Sequence, residues 1–422
     1  MDQSAISILD TPTQPSQVCL PAEGGGGGLL ELFAAVSDGR SDQGRDHPVA
    51  VVLALAAAAV VAGMRGYTAI AGWVTDVPEP LRRQLYERGQ ARRPAIGPPS
   101  KATIWRVVTD TDAQAFDSAI GTWLMARLVD DTMDTGSTTQ TSSTSDCEGG
   151  QDDSEQSGLV QVRLDGKVVR GATDADGTQV HLLAALVGRP GDVTVVAAQG
   201  QIDSKSNEVP HATEVLDQIP DLRGAVVTAD ALHTVKATAT HIHARGAFYM
   251  LPAKENRQAL YQAVNALPWA QTPIGHTRTD TGHARITRRT IRVLPAPANL
   301  PFPHAEQVYL IERYVTDLRG EHPSAAAALG VTNLPAHLAG PPDLAAYAQD
   351  HWGVESLHWL RDTLYREDTS TTRTRSGPRI MATLRNLAIG ALRLAGRRDI
   401  TEATRWANRY MHRPFTILQL TT

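Results

Sequence analysis

The sequence predicts an α/β protein: a mixed sheet flanked by helices, with an all-α module before it and a β-rich insertion ahead of its last long helix. Three observations lead there. Residues 29–129 carry apolar residues at helical spacing throughout. Residues 159–254 run in the order three strands, helix, strand, helix, strand. Residues 255–342 are irregular and Pro-rich, hold two strand-like runs, and give way to helical periodicity at about Asp343.

Each segment has its own physical reason. Residues 1–28 end in the glycine run "EGGGGG" and should be flexible. The helical module reads "LLELFAAVSD", "VAVVLALAAAAVVAG", "AIAGWV", "EPLRRQLYERG" and "DAQAFDSAIGTWLMARLV". Its alanine-rich run spans residues 49–63. That is shorter than the roughly 20 residues of a membrane span, so it predicts a buried core helix. Residues 130–158 hold eight acidic residues and no basic one, which predicts a disordered linker.

Strand texture begins after Gly158. "LVQVRLDGKVVRG", "QVHLLAALV" and "VTVVAAQGQI" are hairpin-compatible strands; "VPHATEVLDQI" is a helix, "GAVVTADA" a strand, "TVKATATHIHARG" a helix and "AFYMLPA" a strand. Three consecutive strands followed by alternation suggest a mixed sheet with packed helices, the order of RNase H-like domains. The insertion, 255–342, contains the strands "RITRRTIRVL" and "QVYLIERYV". Closing helices fill 343–398 and a tail 399–422.

Charge is uneven. The 422 residues carry a net charge of -5, but residues 1–158 hold 11 Lys/Arg against 21 Asp/Glu and residues 159–422 hold 29 against 24. A polyanion should therefore meet the second half. The two cysteines, Cys19 and Cys147, make neither a disulfide framework nor a zinc ribbon and fit a reducing cytoplasm. The N-terminal stretch has no basic start or apolar run, so no signal peptide is expected.

Two acids stand out by context. Asp165 lies inside an apolar strand just before Gly166, and Asp230 ends the apolar strand "AVVTAD". Each has a plain reading as a turn or helix cap. Each also has a chemical one, because a carboxylate at the end of a buried strand suits a hard divalent ion. In an RNase H-like order the first and fourth strands are neighbours, which brings the two acids together, and a late helix adds a third acid.

The stretch "HWGVESLHW", residues 351–359, supplies that candidate. At about 100° per residue, His351, Glu355, His358 and Asp362 fall within an arc of roughly 60° on a helix. Glu355 is the expected third acid, with Asp362, Glu367 and Asp368 as alternatives. Trp352 and Trp359 should pack on the sheet. A His/Glu zinc site competes, but H-x3-E-x2-H is not the metalloprotease spacing and no fourth ligand is evident. Three carboxylates holding two divalent ions suit in-line phosphoryl displacement.

These segments carry a resemblance. "VRLDGKVVRG", "QVHLLAAL", "KSNEVPHATEVLDQI", "GAVVTADALHT", "RGAFYMLPAKENR", "GHARITRRTIRV" and "HWGVESLHWLRDTLYRED" resemble the successive motifs of DDE insertion-sequence transposases, in particular the bacterial H-repeat-associated group. The likeness covers residues 29 to about 395. It implies that Asp165, Asp230 and Glu355 are the catalytic and metal-binding triad, 65 and 125 residues apart. The long second gap resembles members with a β-rich insertion. It also implies two Mg²⁺ per site (Mn²⁺ substituting), cleavage at element ends, and attack of the freed 3′-hydroxyl on target DNA. Double-stranded DNA, both terminal repeats and target, is the implied partner, the protein a homo-oligomer beside the bacterial nucleoid, and the helical module the reader of terminal repeats. The chain departs from relatives at Val354-Glu355-Ser356 (Ile-Glu-Asn there), at Gln349 (often Arg), and at "AKENR", and no departure removes a metal ligand. Two rivals share the fold: an inactive DNA-binding derivative, and a nuclease that never joins strands.

Arginine supplies the expected phosphate contacts. Arg278, Arg285, Arg288, Arg289 and Arg292 lie in 278–292 against one acid, Asp280; residues 373–413 hold ten arginines and two acids. Candidate DNA contacts are Lys167, Lys254, Arg285, Arg288, Arg289, Arg373 and Arg375, with His351 and His358 beside the glutamate; each also has a reading as solvated surface. "KSNE", residues 205–208, fits a helix cap, and His233 and Thr234 fit either the site or the next helix.

Overall fold

A computed structural model describes residues 28–40, 45–89, 97–137, 158–173, 177–202, 208–282 and 284–421. The expected flexible start, most of the acidic linker, Cys19, Cys147 and most of "KSNE" lie outside the described residues.

Six helices open the chain: α1 (Leu29–Ala34), α2 (Val49–Val61), α3 (Tyr67–Thr75), α4 (Glu79–Arg88), α5 (Lys101–Asp110) and α6 (Ala113–Ser137). Helix α2 is apolar all round and buried from Ala50 onward, the pattern of a central core helix. Ser100 starts α5 by accepting from the Thr103 N–H at 3.1 Å. Helix α6 runs to Ser137, past the residue where the linker was expected to begin. No helix among the described residues is long and apolar enough to cross a membrane.

The strands are β1 (Gln161–Thr173), β2 (Gln179–Gly188), β3 (Val195–Ile202), β4 (Val226–Thr228), β5 (Phe248–Ala253), β6 (His276–Gly282), β7 (Arg285–Pro295), β8 (Gln307–Asp317) and β9 (Ser324–Thr332). Helices α7 (Glu208–Asp217) and α8 (Lys236–Ala244) fall where the alternation required them, and α9 (Gln258–Asn265) follows β5. All nine strands form one mixed sheet in the order β3-β2-β1-β4-β5-β9-β8-β7-β6. β1 pairs with β4 in parallel, as the strand order demanded.

The strands at 276–332 join the same sheet, because β9 pairs antiparallel with β5. Two of them, β6 and β9, are not evident from sequence. "HTRTDTG" is polar throughout and "SAAAALGVT" is alanine-rich, so neither carries β-branched apolar alternation. Pairing with β7 and β8 overrides that weak local preference.

Five helices follow: α10 (Pro341–Asp350), α11 (Gly353–Thr363), α12 (Gly377–Leu394), α13 (Ile400–Asn408) and α14 (His412–Ile417). A single hydrophobic cluster joins α1, α2 and α6 to β3, α12 and α14, so the opening helices share the core of the sheet. At Gly121 a Cβ would meet the Ala197 carbonyl at 2.0 Å, so α6 lies directly on the β3 backbone. Buried Asp117 of α6 accepts from Arg379 Nε at 2.6 Å and also bonds Thr383. Burial pushes its carboxyl up to about 6 against the opposing pull of Arg379.

Candidate active site

The site is built on one face of β1. Side chains alternate along a strand, so Gln161, Arg163, Asp165 and Lys167 point the same way. Helices α10 and α11 run along them in the same direction. Gln161 Nε2 donates to the Tyr347 carbonyl at 2.9 Å. Arg163, fully buried, donates through Nε to the Asp350 carbonyl at 3.1 Å and pairs with the Asp350 carboxylate. Asp165 Oδ2 lies 3.4 Å from His358 Nδ1. Lys167 Nζ donates to Asp362 Oδ2 at 2.7 Å.

Neighbouring β4 brings in the second acid. The last β1–β4 pair is Arg163 with Thr228. Asp165 follows that pair by two residues on β1, and Asp230 follows it by two residues just past the end of β4. β1 continues through Gly166 without turning, so Asp165 caps no turn. Asp230 does cap: one carboxylate oxygen accepts from the Leu232 N–H at 2.9 Å and closes the 3₁₀ turn Ala231–His233. His233 sits buried in that turn, and Thr234 Oγ1 donates to the Pro252 carbonyl at 2.7 Å. Neither begins α8.

The chain turns briefly at His351 and Trp352 between α10 and α11, with both residues in right-handed helical conformation. His351 Nδ1 lies 3.0 Å from Thr228 Oγ1. Burial, with Arg163 nearby, lowers His351 to about 4 although Asp230 opposes the shift. Burial, with Arg361 and Lys167 nearby, lowers His358 to about 3. Both imidazoles are therefore neutral at neutral pH. Glu355, between them in sequence, is exposed, and among the described residues its carboxylate has no hydrogen bond or ion pair.

The rival acids are engaged elsewhere. Asp362 holds Lys167, and Asp368 lies 3.7 Å from Lys167 and 3.6 Å from Arg170. Glu367 is completely buried between Arg361 at 2.8 Å and Arg385 at 2.6 Å. The zinc reading fails on geometry, because His351 and His358 address different strands, at Thr228 and Asp165.

The chemistry of the remaining donors fits a hard divalent ion: carboxylate oxygens from within β1, from just past β4 and from the first turn of α11. Among the described residues, the one His/Asp/Glu trio with ligand atoms all within 4.8 Å is Asp317, Glu321 and His322, at the β8–β9 turn.

Several expected DNA contacts sit differently. Lys167 is buried under Asp362 and Asp368, so its ammonium is matched internally. Lys254 is exposed at the end of β5. Arg285 and Arg288 are exposed on β7, Arg288 lying 5.2 Å over the Tyr314 ring. Arg289 is half-buried and donates to Asp280 at 2.8 Å. Arg373 donates to the Gly171 carbonyl at 2.9 Å, and Arg375 pairs with Asp110 at 2.5 Å, so both tie the chain together. The two tryptophans expected to pack are not buried: Trp352 is 46% and Trp359 61% exposed. Sequence reasoning missed Arg163, Thr228 and Asp350. Of these, Arg163 had a signal: it shares the strand face of Asp165, two residues away.

Residues 161–390 match the family described as the transposase DDE domain, and residues 30–124 match that described as DDE_Tnp_1-associated. The chain is 24% identical over 380 residues to "Putative transposase YncI" of Escherichia coli O157:H7, spanning 86% of this chain and 87% of that one. It is 23% identical over 379 residues to "H repeat-associated putative transposase YhhI" of Escherichia coli K12, spanning 86% and 90%. An uncharacterized protein encoded in the dhlA 3′ region of Xanthobacter autotrophicus is 29% identical over 260 residues, 60% of this chain and 76% of that one. Among solved structures, a piggyBac transposase synaptic complex with hairpin DNA superposes with a TM-score of 0.33 at 9% identity, covering 61% of this chain and 53% of that one.

Proposed function

The chain belongs to the transposase DDE family, and from that premise we propose that it cuts DNA at insertion-sequence ends and joins the freed strand to target DNA. The observation that supports this reading is that β1 and β4 are parallel neighbours leading to Asp165 and Asp230, while His358 of the helix bearing Glu355 lies 3.4 Å from Asp165. Asp165, Asp230 and Glu355 are the residues that would hold Mg²⁺ or Mn²⁺, on an RNase H-like sheet. Divalent ions supply charge neutralisation at the scissile phosphate and activation of the attacking oxygen. The rest falls to the chain. Neutral His358 seats α11 against Asp165, and His351 seats the α10–α11 turn against Thr228. Arg163–Asp350 and Lys167–Asp362 pin both helices along β1 and match their own charges there. Glu355, engaged by no neighbour among the described residues, keeps its carboxylate for the ion.

The partners in this reading are double-stranded terminal repeats and target DNA, held by more than one copy of the chain because two ends must meet. The helical module shares the catalytic core's hydrophobic interior, so a role in reading terminal repeats would be played from a rigid body.

The test is cleavage and joining of labelled element-end DNA in Mg²⁺ or Mn²⁺. Wild type should nick and join, and Asp165→Ala, Asp230→Ala and Glu355→Ala should each abolish both. Binding without nicking in either metal would favour an inactive derivative. Nicking without joining would favour a nuclease. Activity surviving Glu355→Ala would remove Glu355 from the triad.

A further inference from the structure

Beside the triad, one face of the strands β6–β8 carries arginines in a row. Arg278 is the cross-strand partner of Arg289, and Arg289 is the partner of Arg313. Cross-strand partners share a sheet face, and like charges directly opposite one another are destabilising. One acid, Asp280, serves the first two, at 2.9 Å from Arg278 and 2.8 Å from Arg289. Arg313 has no carboxylate partner among the described residues. Its neighbour on the far side is Ala326 of β9, which is exposed and leaves that flank open.

The row ends at Trp352. Arg289 lies 5.6 Å and Arg313 5.2 Å from the centre of its indole ring. Trp352 directly follows His351, whose ring meets Thr228, and precedes Glu355 by three residues. An aromatic left 46% exposed, flanked by two cations of which one is unmatched, calls for an anionic ligand with a flat apolar part. A nucleic-acid strand offers both. A paired duplex hides its base faces, so the indole can stack only on an unpaired base.

We propose that Trp352 and the Arg278–Arg289–Arg313 row form a track for an unpaired segment of the DNA strand whose phosphate lies at the triad. A base stacks on Trp352, and phosphates on either side of it meet the arginines. This rests on the strand-cutting reading above, because only that chemistry brings a strand end to Glu355.

The test uses the full chain without divalent metal, so that binding is read apart from cutting. Anisotropy is measured with a labelled single-stranded oligodeoxythymidine and with the same strand paired. Trp352→Ala should weaken single-strand binding about 5- to 150-fold, and Trp352→Phe should restore most of it. Arg313→Gln should reduce the log–log salt slope on the single strand by about 0.7. Wild-type binding by Trp352→Ala and Arg313→Gln would overturn the track. So would an equal loss on single strand and duplex. If the single-strand effects appear and element ends are never cut, the track stands and the transposase reading falls. If ends are cut and joined while the variants bind normally, the reverse holds.

Discussion

His358 Nδ1 lies 3.4 Å from Asp165 Oδ2, and the imidazole is neutral because burial, aided by Arg361 and Lys167, lowers it to about 3. His351 is lowered to about 4 by burial and Arg163. In an unfolded chain both would take a proton near pH 6.5. Between those values the unfolded state binds more protons than the folded one. Stability from these groups is therefore fully present above about pH 6.5 and is lost as pH falls toward 4 and 3. At pH 5 each costs about 2 kcal/mol. Asp117, raised to about 6, acts oppositely, favouring the fold as pH falls from 6 toward 3.8. The expected result is that His358→Gln flattens the fall in urea midpoint between pH 7.5 and 5. An unchanged slope would mean that His358 carries a proton in the folded protein.

Lys167 tests how a cation beside the triad is used. Its ammonium is 8% exposed and matched by Asp362 and Asp368. Lys167→Met should lower stability by about 1–3 kcal/mol through loss of charged hydrogen bonds. It should leave the salt dependence of DNA binding unchanged, because no phosphate is met. A shallower salt slope in a folded Lys167→Met variant would restore Lys167 as a phosphate contact.

That difference shows what was legible in the sequence. The order of β1 to β5 follows from local alternation and turn residues, and with it the adjacency of β1 and β4, the strands that carry or lead to Asp165 and Asp230. The face shared by His358 and Asp362 follows from helical periodicity, whereas His351 lies before α11 begins. What each of those side chains meets does not, because Thr228, Asp165 and Lys167 lie 123, 193 and 195 residues away along the chain. β9 was illegible for a related reason: "SAAAA" has no strand preference of its own and is held by β8 across its length. Trp352 and Trp359 were misjudged as packing residues because an aromatic at helical spacing usually faces a core. Here Val354, Leu357 and Leu360 fill that role.

Glu367 shows how a plausible third acid is excluded by its surroundings. It is fully buried, and Arg361 and Arg385 hold its carboxyl below the usual range despite the opposing effect of burial. Glu367→Ala would leave two buried guanidiniums uncompensated, and removing one partner of a buried ion pair costs about 3–5 kcal/mol. Urea denaturation should show a loss of that size, with the foot of α11 loosened through Arg361. A variant of near wild-type stability would indicate that water reaches the cluster.

The arginines after residue 372 separate into two groups by what they touch. Arg373, Arg375, Arg379, Arg385 and Arg393 bond to Gly171, Asp110, Asp117, Glu367 and Thr194. Arg397, Arg398, Arg405, Arg409 and Arg413 have no carboxylate within ion-pair range among the described residues. Arg397 and Arg413 lie 3.9 and 4.2 Å from the Trp406 ring centre. The helix bearing Arg405 is anchored to α3, where Trp73 Nε1 donates to Asn408 at 3.1 Å, so these charges sit on a fixed surface. Phosphate binding releases counterions in proportion to the charges that meet the DNA. Arg405→Gln and Arg409→Gln should each lower the log–log salt slope for duplex DNA by about 0.9, and Arg375→Gln should leave it unchanged. Equal slopes in all three variants would mean that the duplex does not touch α13, and that the second half's positive charge acts through the β6–β8 arginines.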